Sequence, residues 1–273
     1  MKFPSRQIKI PRIPILMYHE VSDDTERGAS TRHTNPAYSL SVEQFREQMQ
    51  YIRDNGYKTR TLNELLDTKS HTQQKSVVLT FDDGWQNNYT NAFPILVEFG
   101  LTATIFVITD FIGKPNYMDW DQLREMNTQG ISIQSHTASH RPLAGLATSE
   151  IKDELEESKC TIEHHLGTPV DFLSAPHGII DQKVIDIARS LGYKAICTSE
   201  PGFSHSNGNP AILKRINISE SYNKATFARI LEGNQLSIFP ARISKKTKNL
   251  TRKLVGYSNY RKLYNLRYRI RAN

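Results

Sequence analysis

The chain has 273 residues, 38% of them hydrophobic and 23% charged, with a formal net charge of +7 and a pI of about 9.3. That composition excludes a mainly disordered chain, and no run reaches the roughly 18 apolar residues a bilayer span needs. The length suits one α/β barrel, which commonly takes about 250 residues.

Residues 1–12 read as a lead. The early basic residues are followed only by the short apolar run 13–18, which contains Pro14 and is too brief for a signal-peptide core. The expected setting is therefore cytoplasmic. Near-continuous apolar runs at 15–18, 77–79 and 104–108 predict strands of a parallel sheet covered on both faces. After Ser41, the positions Val42, Phe45, Met49 and Ile52 share one helical face, and Ser41 with Gln44 matches a capping box. Ile151, Leu155, Ile162 and Leu166 do the same in a segment that begins near Thr148. At Gly56, Gly100, Gly130, Gly167 and Gly192 a helical segment ends and a β-rich run follows. This rhythm predicts alternating helices and strands, hence one barrel-like α/β domain over 13–235. Cys160 and Cys197 lie far apart in no metal-ligand spacing and read as free, buried thiols.

The polar chemistry falls at the ends of the predicted strands. His19 and Glu20 follow 13–18, Asp82 and Asp83 follow 76–81, His136 and His140 follow 131–135, and Pro176-His177-Gly178 follows 171–175. In α/β barrels the carboxyl ends of the strands form the active-site face. Adjacent carboxylates disfavour each other's ionised form, and a divalent cation relieves that conflict. An i, i+4 histidine pair in a helical turn would point both imidazoles one way, and two His with one Asp match a catalytic site that keeps a position for water. Each motif alone has a structural reading too: Asp-Gly as a turn with a capping Asp, and the histidines as surface or capping groups. Their convergence on one rim favours a metal site.

Thr80-Phe81-Asp82-Asp83-Gly84, followed by Ser135-His136-Thr137-Ala138-Ser139-His140, resembles the polysaccharide deacetylase family, carbohydrate esterase family 4, with its NodB homology domain. The opening Pro14-Ile15-Leu16-Met17-Tyr18-His19 and the stretch 41–65 look most like its poly-N-acetylglucosamine deacetylase branch. The resemblance covers roughly residues 13–220. It implies a deformed (β/α) barrel, a divalent metal of zinc type held by Asp83, His136 and His140, and Asp82 as general base. The implied reaction is removal of N-linked acetyl groups from an N-acetylated sugar in surface-glycan biosynthesis, the substrate being a glycan or a lipid-linked sugar.

Two motifs depart from the family pattern. Its third motif usually opens on an arginine that orients the base and carries an aromatic before the glycine; here it reads Ser174-Ala175-Pro176-His177-Gly178. By analogy the His177 backbone N–H would stabilise the oxyanion, while its side chain either bonds sugar or fills space. The late motif's catalytic histidine is absent from Leu213-Lys214-Arg215-Ile216-Asn217-Ile218. In the resembling branch the acid role moves to the N-terminal Tyr-His motif, which makes His19 the candidate acid; its alternative is a structural bond to Asp82 or to the backbone. Two other functions stay open: a weakened member that only binds glycan, and an amidohydrolase of a non-sugar amide.

Residues 236–273 read as a basic amphipathic tail. Positions 241–273 hold eleven Lys or Arg and no acidic residue, so the rest of the chain, with 24 basic and 28 acidic residues, is mildly acidic. An anionic membrane surface is the expected partner of this tail, at the inner face of a membrane, and nucleic acid is not expected. Packing on the barrel as a final helix is the competing reading.

Overall fold

The computed structural model describes residues 12–22, 38–67, 74–203 and 211–255. The strands are β1 (Ile15–Tyr18), β2 (Glu20–Val21), β3 (Ser39–Leu40), β4 (Lys58–Thr59), β5 (Ser76–Phe81), β6 (Thr104–Val107), β7 (Ser132–Ser135), β8 (Phe172–Ser174), β9 (Ala195–Cys197), β10 (Ile212–Leu213) and β11 (Ile216–Asn217). The helices are α1 (Val42–Asp54), α2 (Leu62–Leu66), α3 (Phe93–Phe99), α4 (Trp120–Thr128), α5 (Thr148–Leu166), α6 (Gln182–Ser190), α7 (Lys224–Leu231) and α8 (Phe239–Val255). None is long and apolar enough to cross a membrane.

Nine strands form one parallel sheet, in the order β10-β9-β8-β7-β6-β5-β1-β11 with β4 also paired to β5. The two outermost strands of that order are β10 and β11, and only Lys214 and Arg215 separate them in sequence. Three Cα steps span at most about 11 Å. Two residues cannot form the crossover that side-by-side parallel strands need, so β10 and β11 follow one another along a single course of chain that pairs first with β9 and then with β1. The two edges thereby meet, and the sheet is curled into the deformed (β/α) barrel that the motifs implied.

Strand parity sorts the core into two clusters. Leu16, Val77, Leu79, Ile105 and Leu173 pack with the helices. Their neighbours Ile15, Val78, Phe106, Phe172, Cys197 and Leu213 form a second cluster with Leu62 and Leu65 of α2. Alternate residues of a strand face opposite sides, so this second set fills the barrel interior. Along the same inward rows, Thr80 and Asp82 follow Val78, Ser174 follows Phe172, and Arg215 follows Leu213. The interior is thus apolar below and polar at the carboxyl ends of the strands.

Local expectations mostly hold, with two corrections. All five junction glycines have positive φ, and Phe45, Met49 and Ile52 are fully buried on α1. The α1 capping box is only half made. Ser41 accepts from the Gln44 N–H at 3.1 Å, but Gln44 Oε1 is buried without a partner among the described residues. Cys197 is buried, whereas Cys160 is exposed, because it lies on the solvent side of α5.

The first part of the tail is attached to the barrel. Ile238 is buried in the main core, and Arg242 Nε donates to the Pro201 carbonyl at 3.2 Å. Positions 256–273, which carry all four tail tyrosines, lie outside the described residues.

Candidate active site

The site assembles where the barrel strands end. Asp82 and Asp83 leave β5, and the Asp82 N–H donates to the Tyr18 carbonyl at 3.0 Å. Asp83 then adopts φ 79°, a left-handed backbone rare for a residue with a Cβ. Gly84 shares that φ and lies against Val107, where an added Cβ would meet Val107 Cγ1 at 3.1 Å. This turn brings two consecutive carboxylates to the same side, both near His136, instead of onto opposite faces.

Asp83 Oδ1 lies 3.3 Å from His136 Nε2 and 3.5 Å from His140 Nε2. The donor atoms of all three residues are within 4.8 Å of one another. An ion holding donors at about 2.1 Å with tetrahedral angles separates them by about 3.4 Å, so two edges of this triangle already match. The supporting bonds fit the same reading. His136 Nδ1 pairs with the Ser174 carbonyl at 2.7 Å, which turns Nε2 toward Asp83. Trp85 Nε1 donates to Asp83 Oδ2 at 3.1 Å and leaves Oδ1 for the centre.

The titration pattern favours added positive charge. Burial acts to raise the Asp83 pKa, yet the hydrogen bond from His136 and the nearby imidazoles outweigh it and hold the carboxyl far below its usual range. Burial likewise acts to lower the His136 pKa, but the charges of Asp82 and Asp83 leave it raised. His140 is pushed down to about 3 by burial and by His136. A neutral His140 beside an ionised Asp83 is the donor chemistry a divalent cation takes.

His136 and His140 do not share a helical turn, and this corrects the expected local geometry. The segment between them is a loop in which Thr137 and His140 have φ of 68° and 62°. Glu154, buried on α5, holds it. Its carboxylate accepts from the Ser139 N–H at 2.9 Å and from the Ser139 hydroxyl. His140 N–H donates to Thr137 Oγ1 at 3.0 Å. Left-handed residues thus do what helical spacing was expected to do, bringing the two rings to 4.7 Å between centroids.

The arginine expected to be missing is present from the link between β10 and β11. Arg215, 1% exposed, grips Asp82 with Nη1 on Oδ1 and Nη2 on Oδ2, both at 2.7 Å. Arg215 Nη2 also donates to Ser174 Oγ at 2.8 Å, and that hydroxyl donates to Asp82 Oδ2 at 3.1 Å. Nε donates to the Thr198 carbonyl at 3.1 Å. Burial acts to raise the Asp82 pKa, but Arg215 foremost, with His136, keeps it lowered. Sequence reasoning noted Arg215 and gave it no role. The available signal was a lone arginine between two short β runs, at the residue where the barrel closes.

His19 follows β1 and is half-buried, its ring 4.5 Å from that of Tyr38. Its Nδ1 has no hydrogen-bond partner among the described residues. Burial lowers its pKa, against the pull of Asp83 and Asp82, and Arg215 and His136 lower it further. Among the described residues neither structural alternative is made: Asn88 binds the His19 backbone carbonyl, not the ring. His177 is exposed at φ 59°, with its ring 5.2 Å from that of His140, so it lies on the rim and fills no interior space. Pro176 is buried beneath it, and a Cβ on Gly178 would meet Ser199 N at 2.4 Å, so only glycine fits there. Trp85 and Tyr117, which sequence reasoning passed over, stack at 4.6 Å beside Asp83.

Comparison with known proteins agrees with this geometry. Residues 69–196 match the family model described as polysaccharide deacetylase. YxkH of Bacillus subtilis (strain 168), whose name places it among the polysaccharide deacetylases, is 32% identical over 227 residues, covering 82% of this chain and 77% of that protein. The poly-β-1,6-N-acetyl-D-glucosamine N-deacetylase of Staphylococcus aureus (strain NCTC 8325 / PS 47) is 27% identical over 202 residues, 67% of this chain and 69% of that one. The deacetylase PplD of Streptococcus pyogenes, solved in complex with acetate, superimposes with a TM-score of 0.72 at 26% identity, covering 83% of this chain and 99% of that chain.

Proposed function

We propose that this chain, which belongs to the polysaccharide deacetylase family, hydrolyses the acetamide of N-acetylated sugar units in a surface polysaccharide or its lipid-linked precursor. The observation that carries the reading is the pairing of a three-donor cation site with a separate, arginine-clamped carboxylate at the adjacent residue. Asp83, His136 and His140 would hold a divalent ion, of zinc type by the donor set, and such an ion supplies polarisation of the acetyl carbonyl and a lowered pKa for an attacking water.

The remaining chemistry belongs to the protein's own groups. Asp82 stays ionised at neutral pH because Arg215 neutralises it, and one lone pair of Oδ1 is left to accept the water's proton. His19 is the proton donor to the departing amine. Its lowered pKa makes the ring neutral at rest, so it has to collect a proton before it can give one. The His177 backbone N–H, in an exposed left-handed turn on the rim, would stabilise the developing oxyanion.

The glycan-binding alternative rests on the altered third motif; the Arg215 clamp on Asp82 speaks for turnover, and acetate release from N-acetylated oligosaccharides separates the two. Amide hydrolysis on a non-sugar substrate is separated by assay. Acetate release is measured on N-acetylglucosamine oligomers and on simple N-acetyl amines and peptides, before and after chelation. The expected result is release from the oligomers alone, lost with chelator and restored by divalent metal. Release from the non-sugar amides at equal rate, or chelator-insensitive turnover, would overturn the proposal.

A further inference from the structure

The helix α8 has two unlike faces. One is tied to the barrel rim. Arg242 Nε donates to the Pro201 carbonyl at 3.2 Å, Lys245 Nζ donates to Ser199 Oγ at 2.7 Å and reaches the His177 carbonyl at 3.5 Å, and Asn249 Nδ2 donates to Glu200 Oε1 at 3.1 Å. Positions 242, 245 and 249 therefore share the docked side, next to the His177 turn. The other side carries Phe239, Ile243 and Leu250, which are 56%, 51% and 60% exposed, preceded by Leu236 at 78%. At 100° per residue, 239, 243 and 250 fall within about 40° of one another. Apart from Val97 on α3, these four are the large hydrophobic side chains exposed among the described residues, so the solvent-facing apolar groups are gathered into one stripe.

The helix's own charged residues have one sign. Lys246 is exposed on the same side, and positions 241–273 carry eleven Lys or Arg with no Asp or Glu. A second copy of this chain could cover the apolar stripe, but it would set a like-charged segment against this one. A nucleic acid would satisfy the cations and leave the apolar groups in water. An anionic lipid surface satisfies both, since apolar side chains enter the headgroup boundary while lysine ammonium groups reach the lipid phosphates.

We propose that α8 is a two-sided mount: its docked face grips the active-site rim, and its apolar-basic face lies in the surface of an anionic bilayer. The inference is independent of the reaction assigned to the site. It also means that removing the whole tail is a poor test, because Lys245 would be lost from the rim.

The test uses the full chain with phosphatidylcholine vesicles, with and without phosphatidylglycerol, in co-sedimentation. Binding is expected only to the anionic vesicles and should weaken as salt is raised. The variant Phe239→Ser/Ile243→Gln/Leu250→Gln should bind roughly tenfold more weakly or worse, with thermal melting and acetate release from soluble oligomers unchanged. A single Ile243→Asp substitution, at an exposed position that any folded chain tolerates, should do the same. Wild-type indifference to anionic vesicles would overturn the proposal. So would undiminished binding by both variants, which would leave charge alone responsible. A wild-type dimer in sedimentation velocity that the variants turn into monomers would overturn it too, by assigning the stripe to a second copy.

Discussion

Arg215 is a buried cation whose every donor direction is used: Nε on the Thr198 carbonyl, Nη1 on Asp82 and Thr80 Oγ1, and Nη2 on Asp82 and Ser174. Below it lies the Phe106 ring, 5.4 Å away. Removing one partner of such a pair strands the other, which commonly costs about 3–5 kcal/mol. Arg215→Met should therefore lower the urea midpoint markedly. The Asp82 pKa in the folded chain is below its ordinary value, so ionised Asp82 contributes stability that is present above that ordinary value and lost as pH falls through the folded-state value. Without Arg215 the burial effect dominates and the pKa rises, so the acid limb of acetate release should move to higher pH. An unmoved limb would show that Asp82 is not the titrating base. Asp82→Asn and His19→Ala should each keep metal affinity and lose on the order of 10²–10⁴ in turnover. Near-normal rates in His19→Ala would pass the acid role to another group, with His177 on the rim the first to replace next.

At the scale of elements, the loop from His136 to His140 depends on a helix distant in sequence. Glu154 on α5 accepts from both the Ser139 N–H and its hydroxyl, and the Ala138 N–H donates to the Glu154 carbonyl at 3.1 Å. Two non-glycine residues with positive φ would relax without that grip. Glu154→Ala should weaken metal binding by about 10–100-fold, as loss of a supporting bond does in other metal sites, while far-UV circular dichroism stays that of the wild type. Calorimetric zinc titration checks it, and unchanged affinity would mean that the loop holds its own shape. Several helix starts were open to reading. Thr61 with Glu64 and Asp119 with Gln122 form full capping boxes, and Ser41 forms half of one. These depend on residues three apart, which is why the local pattern carries them.

For the whole molecule, closure of the barrel between β10 and β11 is what assembles the site. It brings Arg215 from one edge to Asp82 of β5 and Ser174 of β8. A ligand that binds only the folded state stabilises it, by about 2.7 kcal/mol at a hundredfold excess over Kd. Zinc added to chelator-treated protein should raise the melting temperature measurably, and Asp83→Ala should abolish the rise without abolishing the cooperative transition. A zinc-induced rise that survives in Asp83→Ala would place the ion elsewhere.

The sequence by itself determined the βα rhythm, the strands that end in polar residues, and the identity of Asp82, Asp83, His136 and His140 as a convergent set. Each of these rests on short-range spacing or on alternation along one strand, which survives in one dimension. Tertiary structure alone decided that Arg215 replaces the arginine absent at Ser174, that left-handed residues rather than a helical turn aim the two histidines, and that Trp85 fixes Asp83. Arg215 and Asp82 are 133 positions apart, and a fully buried arginine is rare without a partner that only the closed barrel supplies. Tertiary structure also divided the basic helix, because which of its sides meets the rim depends on where Ser199 and His177 lie, and helical spacing cannot tell a docked face from a free one.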